Sequence, residues 1–386
     1  MSQTRVDVAV VGLGSIGAMA LWRTALALSG TGKTVLGIEQ YGPLHAAGSY
    51  TGESRLFRVA AKEGRFFTPA LLRSRELWHQ LESESGRTLL LEAGALSLAP
   101  GDHPDIAATL RAIDEFDLQA EVLDADGLRR RYPQFAIESD DVGILDPLGG
   151  GSRPEASVLS GIEAAERLGA QVWTGVEVLD VVSAGDGVRI STARGEVIAD
   201  RVIVTTGSWT TRLVPELADL VTVASFGLTW LMPRHIEWFT PDRFPGFMRD
   251  LGDVHAFGVP TLDGFSIKIC PHVILPEVGD YADRFTELTP DQLRWIGEQA
   301  QRMIPDLVPD PVRWSVHPDS QTAARLPIID TVADGAIVIA TGLSGNGFKF
   351  SPVWGEALAQ LAIEGRSDWQ NPLFTIAAHR QHDAAG

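Results

Sequence analysis

Cysteine is nearly absent from this chain: Cys270 is the single one among 386 residues. That excludes an intrachain disulfide and any cysteine-built zinc site, and a reducing cytoplasm is the expected compartment. Basic charge is also in deficit, with 32 Lys and Arg against 50 Asp and Glu and a formal net charge of −18. Nucleic-acid binding needs a basic surface, so it is excluded as the main function. The acidity serves solubility and identifies no substrate. No uninterrupted apolar run is long enough to span a bilayer. The N-terminal apolar stretch is broken by glycines and reads as a strand, so neither a signal peptide nor a membrane partner is expected. Solenoid repeats and low-complexity tracts are missing as well.

What is present begins within the first forty residues. An apolar strand, Val6 to Val11, runs into Gly12-Leu13-Gly14-Ser15-Ile16-Gly17 and a helical stretch, and a second strand, Thr34 to Ile38, ends on Glu39. In such a unit the first glycine allows the tight turn, the second lets backbone approach a pyrophosphate, and the third lets helix and strand pack closely. The helix start directs free N–H groups at the phosphates. Glu39 stands 22 residues beyond Gly17, where an acid accepts hydrogen bonds from ribose hydroxyls.

The length exceeds one usual core, and the pattern is interleaved rather than tandem. Helices are predicted over Thr68 to Glu84, Pro104 to Phe116, Ala125 to Tyr132, Ser157 to Leu168, Pro290 to Met303 and Pro352 to Ile363. Strands are predicted at Gly94 to Ala99, Gln171 to Thr174, Val176 to Ser183, Gly187 to Thr192, Glu196 to Ala199 and Arg201 to Thr206, with several more between Val223 and Val316. Pro147 to Gly151 reads as a crossing point, and the tail after Thr375 as frayed. Ala336 to Gly342 repeats the pattern of an apolar strand ending in glycine. The fold class is therefore α/β. A Rossmann-type FAD-binding domain (residues 1–85, 150–222 and 325–386) is interleaved with an α+β substrate domain carrying a mostly antiparallel sheet (86–149 and 223–324). Distant strand pieces with long insertions favour FAD over NAD. The Gly-rich turn Leu343 to Phe350 lets backbone lie against a flat ring, and the helix after it favours negative charge there.

With these elements in place, the chain resembles the monomeric sarcosine oxidase and N-methyltryptophan oxidase family of FAD-dependent amine oxidases. The likeness covers about residues 5 to 370. It is carried by Gly12 to Gly17, Gly48-Ser49-Tyr50-Thr51-Gly52-Glu53-Ser54-Arg55-Leu56-Phe57-Arg58, Phe244 to Met248, Ile267-Lys268-Ile269-Cys270-Pro271-His272, Pro327 to Asp330, and Gly345 to Phe350. The resemblance implies oxidation of a small-molecule amine to an imine, with O2 reduced to H2O2, by a monomer. It implies that Gly12, Gly14, Ser15, Ile16, Gly17, Glu39, Gln40, Ser49, Arg55, Val178, Thr206, Gly207, Trp209, His317, Gly342, Gly345, Gly347, Phe348 and Lys349 hold the cofactor.

For catalysis, the resemblance assigns Arg58 and Lys349 to the substrate carboxylate; a guanidinium fork suits a carboxylate bidentately. It assigns Lys268 to the reaction with O2, where a cation stabilises the charge that develops, and gives His272 a part in tuning the amine's protonation. By strand alternation Lys268 faces away from Ile267 and Ile269, so an exposed position is open to it. Cys270 reads as a small buried hydrophobe. Met248, Phe257, Val259 and Asp319 are expected to line the substrate pocket, with Phe257 and Val259 favouring an amine bulkier and less polar than sarcosine. One departure matters. Family members attach the flavin through a cysteine, and His317 stands at that position here. Cysteinyl attachment is thus not expected, noncovalent FAD is the first choice, and a histidyl link through His317 stays open. Two other readings remain: a flavin dehydrogenase using another acceptor, and a catalytically silent flavoprotein.

Overall fold

The computed structural model describes residues 4–185 and 187–385. Two eight-stranded sheets dominate it. In the first, Thr4–Val11 pairs in parallel with Val35–Ile38 on one side and with Gly195–Val204 on the other. Such strands are buried on both faces, and Val8, Ala9, Val10 and Val11 are fully buried, so they read as a continuous apolar run. The glycine-broken helix predicted after them spans Ser15–Leu28 and packs with Pro154–Arg167 and Ser351–Glu364 on one face of this sheet. Met19, Trp22, Trp78 and Leu358 belong to the core between those layers.

The two strands expected at Glu196 to Ala199 and Arg201 to Thr206 are one strand, Gly195–Val204. Its inner edge pairs continuously with Thr4–Val11, while its outer edge is shared. Residues 195–199 pair antiparallel with Gly187–Thr192, and 202–204 pair in parallel with Ile337–Thr341. Asp200, which reads as a break, is exposed and bonds Arg5 at 2.9 Å. The segment Pro147 to Gly151 ends in a short strand, Gly150–Ser152, between Arg55–Phe57 and Leu90–Leu91. The tail is not frayed over the described residues: Ile376–Ala385 is helical. Asp330 Oδ2 accepts the Ile376 N–H at 2.8 Å, and His379 Nε2 lies 3.2 Å from Pro327 O.

The second sheet runs Arg313–Gln321, Thr222–Leu231, Ile267–Pro271, His255–Val259, Gly246–Asp250, Ala95–Pro100, Asp141–Asp146, Glu121–Leu123. Its pairs are antiparallel except Gly246–Asp250 with Ala95–Pro100. One face is apolar, with Leu96, Leu98, Leu231, Phe247, Ile267 and Ile269 packed beneath it. Helix Pro290–Met303 closes that core with Ala300 and Met303 and begins on a capping box at Thr289 and Gln292. The other face carries the chemistry. Among the described residues no helix is long and apolar enough to cross a membrane.

Candidate active site

A cleft opens where the C-terminal ends of the parallel strands meet the second sheet. Its walls include Gly12, Gly14, Ser15, Ile16, Glu39, Gln40, Ser49, Arg55, Val178, Thr206, Gly207, Trp209, Phe226, Asp319, Gly345, Gly347 and Phe348. Most of the cofactor residues expected from sequence are thus gathered in one place. Gly17, Gly342, His317 and Lys349 lie off the lining.

Local backbone explains the cleft. Gly12 has φ +85°, and a Cβ there would sit 2.9 Å from Thr205 O. A Cβ on Gly17 would fall 1.8 Å from Gly12 O, so helix and strand could not close up with any other residue. Gly14 precedes the helix without a side-chain cap, and Ser15-Ile16-Gly17 bring no acid to the first turn. Free N–H groups and the positive helix end therefore face the cleft, which suits a pyrophosphate. Glu39 is buried; its Oε2 accepts the Leu13 N–H at 2.8 Å and its Oε1 the Tyr41 N–H at 3.0 Å. Burial works to raise its carboxyl, but bonds from His45 and those two amides hold it below the ordinary range. An ionised acid at the end of the second strand is the right acceptor for ribose hydroxyls. The donor set fits an adenine dinucleotide.

At the inner end, Asp319 Oδ2 accepts the Gly345 N–H at 2.6 Å, tying strand Arg313–Gln321 to the Gly-rich turn. Burial pushes the Asp319 carboxyl up to about 7, against the Gly345 bond and Arg55. His317 is buried one strand step away. Its Nδ1 lies 3.3 Å from both Thr51 Oγ1 and Gly48 O, and its Nε2 is 2.8 Å from Ser315 Oγ. Burial and then Arg55 lower the imidazole to about 4, so it stays neutral.

Register gathers the other expected residues on the chemical face of the second sheet. Ser97, Met248, Phe257 and Cys270 form one cross-strand row, and Trp230, Lys268 and Val259 form the row two residues along. Side chains two apart share a face. Phe226 opposite His317, and Ala224 opposite Asp319, continue that face toward the cleft. Cys270 is buried beside Leu228 and Trp230, as expected.

Lys268 is not exposed: it is 2% accessible, and Nζ donates to Gly52 O at 3.0 Å and Ser54 O at 2.6 Å. Burial, then Arg55, push its amine well below the usual lysine range. Val259 is fully buried with Cγ1 packed toward Gly151, so it adds no open space. His272 lies just beyond strand Ile267–Pro271, where partial burial of its ring, then Arg325, lowers its imidazole.

Arg58 and Lys349 do meet, but around a residue that no sequence motif singles out. Lys349 Nζ donates to Glu63 Oε1 at 2.7 Å, and Arg58 Nη2 is 3.8 Å from Glu63 Oε2 while its Nη1 donates to Ser97 Oγ at 2.9 Å. Burial works to raise the Glu63 carboxyl, but Lys349 and Arg58 hold it far below the carboxylate range. Glu63 belongs to no motif; five residues beyond Arg58 in a Lys-Glu-Gly turn, it reads as surface.

A family model described as FAD dependent oxidoreductase (DAO) matches residues 7–361. The chain is similar to monomeric sarcosine oxidase of Streptomyces avermitilis, with 31% identity over 95% of this chain and 96% of the relative. It is similar to N-methyl-L-tryptophan oxidase of Salmonella dublin, with 28% identity over 98% of this chain and all of the relative. Among solved structures, the open form of NikD, an unusual amino acid oxidase essential for nikkomycin biosynthesis, superposes with a TM-score of 0.84. It covers 96% of this chain and 97% of its own at 23% identity.

Proposed function

Because this chain belongs to the DAO family of FAD-dependent oxidoreductases, we propose that it is an amine oxidase of the sarcosine oxidase kind. Its substrate on this reading is an N-methyl or primary amino acid or a related amine. The cleft residues would hold FAD, which when bound would supply the two-electron acceptor for oxidation of the C–N bond, with O2 as the final oxidant. The observation that carries the reading is the shared face of the second sheet, where Lys268, Phe257 and Met248 lie in adjoining register beside Arg58.

The chain's own residues then divide the work. Arg58 and Lys349 hold the substrate carboxylate; fixing the reacting carbon in place is worth ~7–11 kcal/mol of barrier in well-oriented systems. Met248 and Phe257 wall the amine. Asp319, a carboxyl that titrates near neutrality, takes the proton that a substrate ammonium gives up. His272, by its resemblance to the family histidine, adjusts that protonation. Lys268 presents positive charge where oxygen is reduced. His317, with both ring nitrogens engaged, leaves the FAD noncovalent. On this reading residues 1–85, 150–222 and 325–386 form the FAD-binding domain and 86–149 and 223–324 the substrate domain, with Arg58 and Lys349 reaching the substrate from the first and Phe226 and Asp319 lining the cleft from the second.

The test is the visible spectrum of the purified protein under anaerobic conditions, before and after a panel of N-methylated and primary amino acids. Flavin bands that bleach with one amine, and return with air, support the oxidase. Bands that bleach but do not return with air indicate a dehydrogenase, and bands that no amine bleaches overturn the reading.

A further inference from the structure

The loop from Thr51 to Ser54 lies between two buried cations and one acid. Its peptide units connect them. The Thr51–Gly52 peptide accepts Arg55 Nη2 on its carbonyl at 2.7 Å and donates its N–H to Glu155 Oε1 at 2.7 Å. The next peptide, Gly52–Glu53, accepts Lys268 Nζ on its carbonyl at 3.0 Å and donates its N–H to the same Glu155 oxygen at 3.0 Å. In a trans peptide the C=O and N–H point to opposite sides, so a cation on the oxygen polarises the N–H toward the carboxylate. One carboxylate oxygen thus serves two cations through two successive amides.

The loop needs holding. Gly52 has φ +112° and Glu53 φ +70°, a left-handed conformation that an L residue keeps only when its surroundings impose it. A Cβ on Gly52 would approach Leu228 Cδ1 to 2.5 Å. Glu155 itself stands in the first turn of helix Pro154–Arg167, where the helix dipole favours an anion.

Around Lys268, Arg55 opposes its charge, whereas Glu53, Glu155 and Cys270 favour it, His317 nearby is neutral, and the rings of Trp230 and Phe257 lie 5.3 and 6.0 Å from Nζ. Glu53 is already committed, bonding Trp230 Nε1 and Arg313. That leaves Glu155 as the acid common to both buried cations.

We propose that Glu155 is a positioning residue: through these two peptide units it aims Lys268 and Arg55 and supplies the negative charge that lets both stand side by side. Its bearing on catalysis rests on the oxidase reading, in which Lys268 must be cationic when oxygen is reduced.

The chain has only four lysines, Lys33, Lys62, Lys268 and Lys349, so lysine labelled with carbon-13 at the ε position gives a spectrum of four signals. Lys268→Met identifies the one that matters. Titrated in the FAD-loaded protein, Glu155→Gln is expected to lower the Lys268 midpoint by about one pH unit, since the amide keeps an acceptor oxygen but not the charge. Glu155→Asp, which keeps the charge on a shorter arm, should recover part of the shift and serves alone if the Gln variant does not fold. An unchanged midpoint in both variants overturns the proposal.

Re-oxidation of dithionite-reduced protein by O2, which needs no substrate, links this to chemistry. The Glu155→Gln rate is expected to fall about tenfold at neutral pH, with its pH profile displaced downward by the same amount as the midpoint. If Lys268→Met re-oxidises at the wild-type rate, the oxygen role of Lys268 fails, while the titration still decides the role of Glu155. If Lys268→Met is slow and Glu155→Gln is normal in both measurements, Glu155 alone is wrong.

Discussion

Lys349 Nζ and Glu63 Oε1 are 2.7 Å apart inside the protein, so the chain's own carboxylate already occupies the lysine expected to receive a substrate's. With Arg58 at the other oxygen, the group Arg58, Lys349 and Glu63 carries one net positive charge, which one further carboxylate would neutralise.

Replacing Glu63 by Gln removes that internal competitor. The expected result is tighter binding of simple carboxylates and of carboxylate-bearing amines, with KM lowered about tenfold, the factor for ~1.4 kcal/mol, and kcat little changed. Perturbation of the flavin spectrum by added carboxylates measures it. A raised KM would mean instead that Glu63 orients the two cations for the substrate.

Asp319 makes stability depend on pH in a definite direction. Its folded value of about 7 lies above the ordinary aspartate value of 3.8, so the folded chain binds the extra proton and loses stability as pH rises between the two. The loss is on the order of 4 kcal/mol at most. Asp319→Asn, still able to accept from Gly345 N–H, should therefore gain on the parent as pH rises from about 4 to about 7, and keep a constant lead above that. Thermal unfolding of the FAD-free protein at several pH values checks this; parallel curves would show that Asp319 stays ionised at neutral pH.

Both ring nitrogens of His317 have hydrogen-bond partners, which favours noncovalent FAD. Acid precipitation of the yellow protein should leave the colour in the supernatant, and the intact mass should equal that of the polypeptide. A mass increased by one FAD would establish covalent attachment, and His317→Val would then identify the site.

Gly17→Ala places a methyl 1.8 Å from Gly12 O, a backbone atom that cannot yield without opening the turn. The variant is expected to lose FAD during gel filtration and to be destabilised by ~2–3 kcal/mol, read from urea unfolding. Retained colour and unchanged stability would mean that helix and strand can separate at little cost.

Much of this was legible because local rules and tertiary demands coincide. The glycines at 12, 14 and 17 are required by backbone geometry alone, and helices Pro104–Phe116 and Pro290–Met303 fall where periodicity puts them. The misreadings share one cause, a long-range partner. Asp200 interrupts an apolar run yet continues the strand, because residues 197–204 are paired along their whole inner edge. The tail helix is capped by Asp330, far back in the chain. Lys268 alternates onto a face that strand pattern alone calls exposed, and the loop of residues 52–54 buries it. Glu63 and Glu155 are ordinary acids until folding brings cations to one and two successive amides to the other.

The walls of the cleft lie far apart along the chain: residues 11–16, 38–55, 176–178, 205–213, 319–320 and 340–348 all contribute. Thr205 Oγ1 bonds Val11 O across 194 residues. During synthesis the glycine fingerprint leaves the ribosome first, but its opposite wall does not exist until nearly the whole polypeptide has followed. The complete cleft therefore forms only after residue 348 has emerged, and a chain cut short before residue 340 lacks the wall that Ala340 to Phe348 supply.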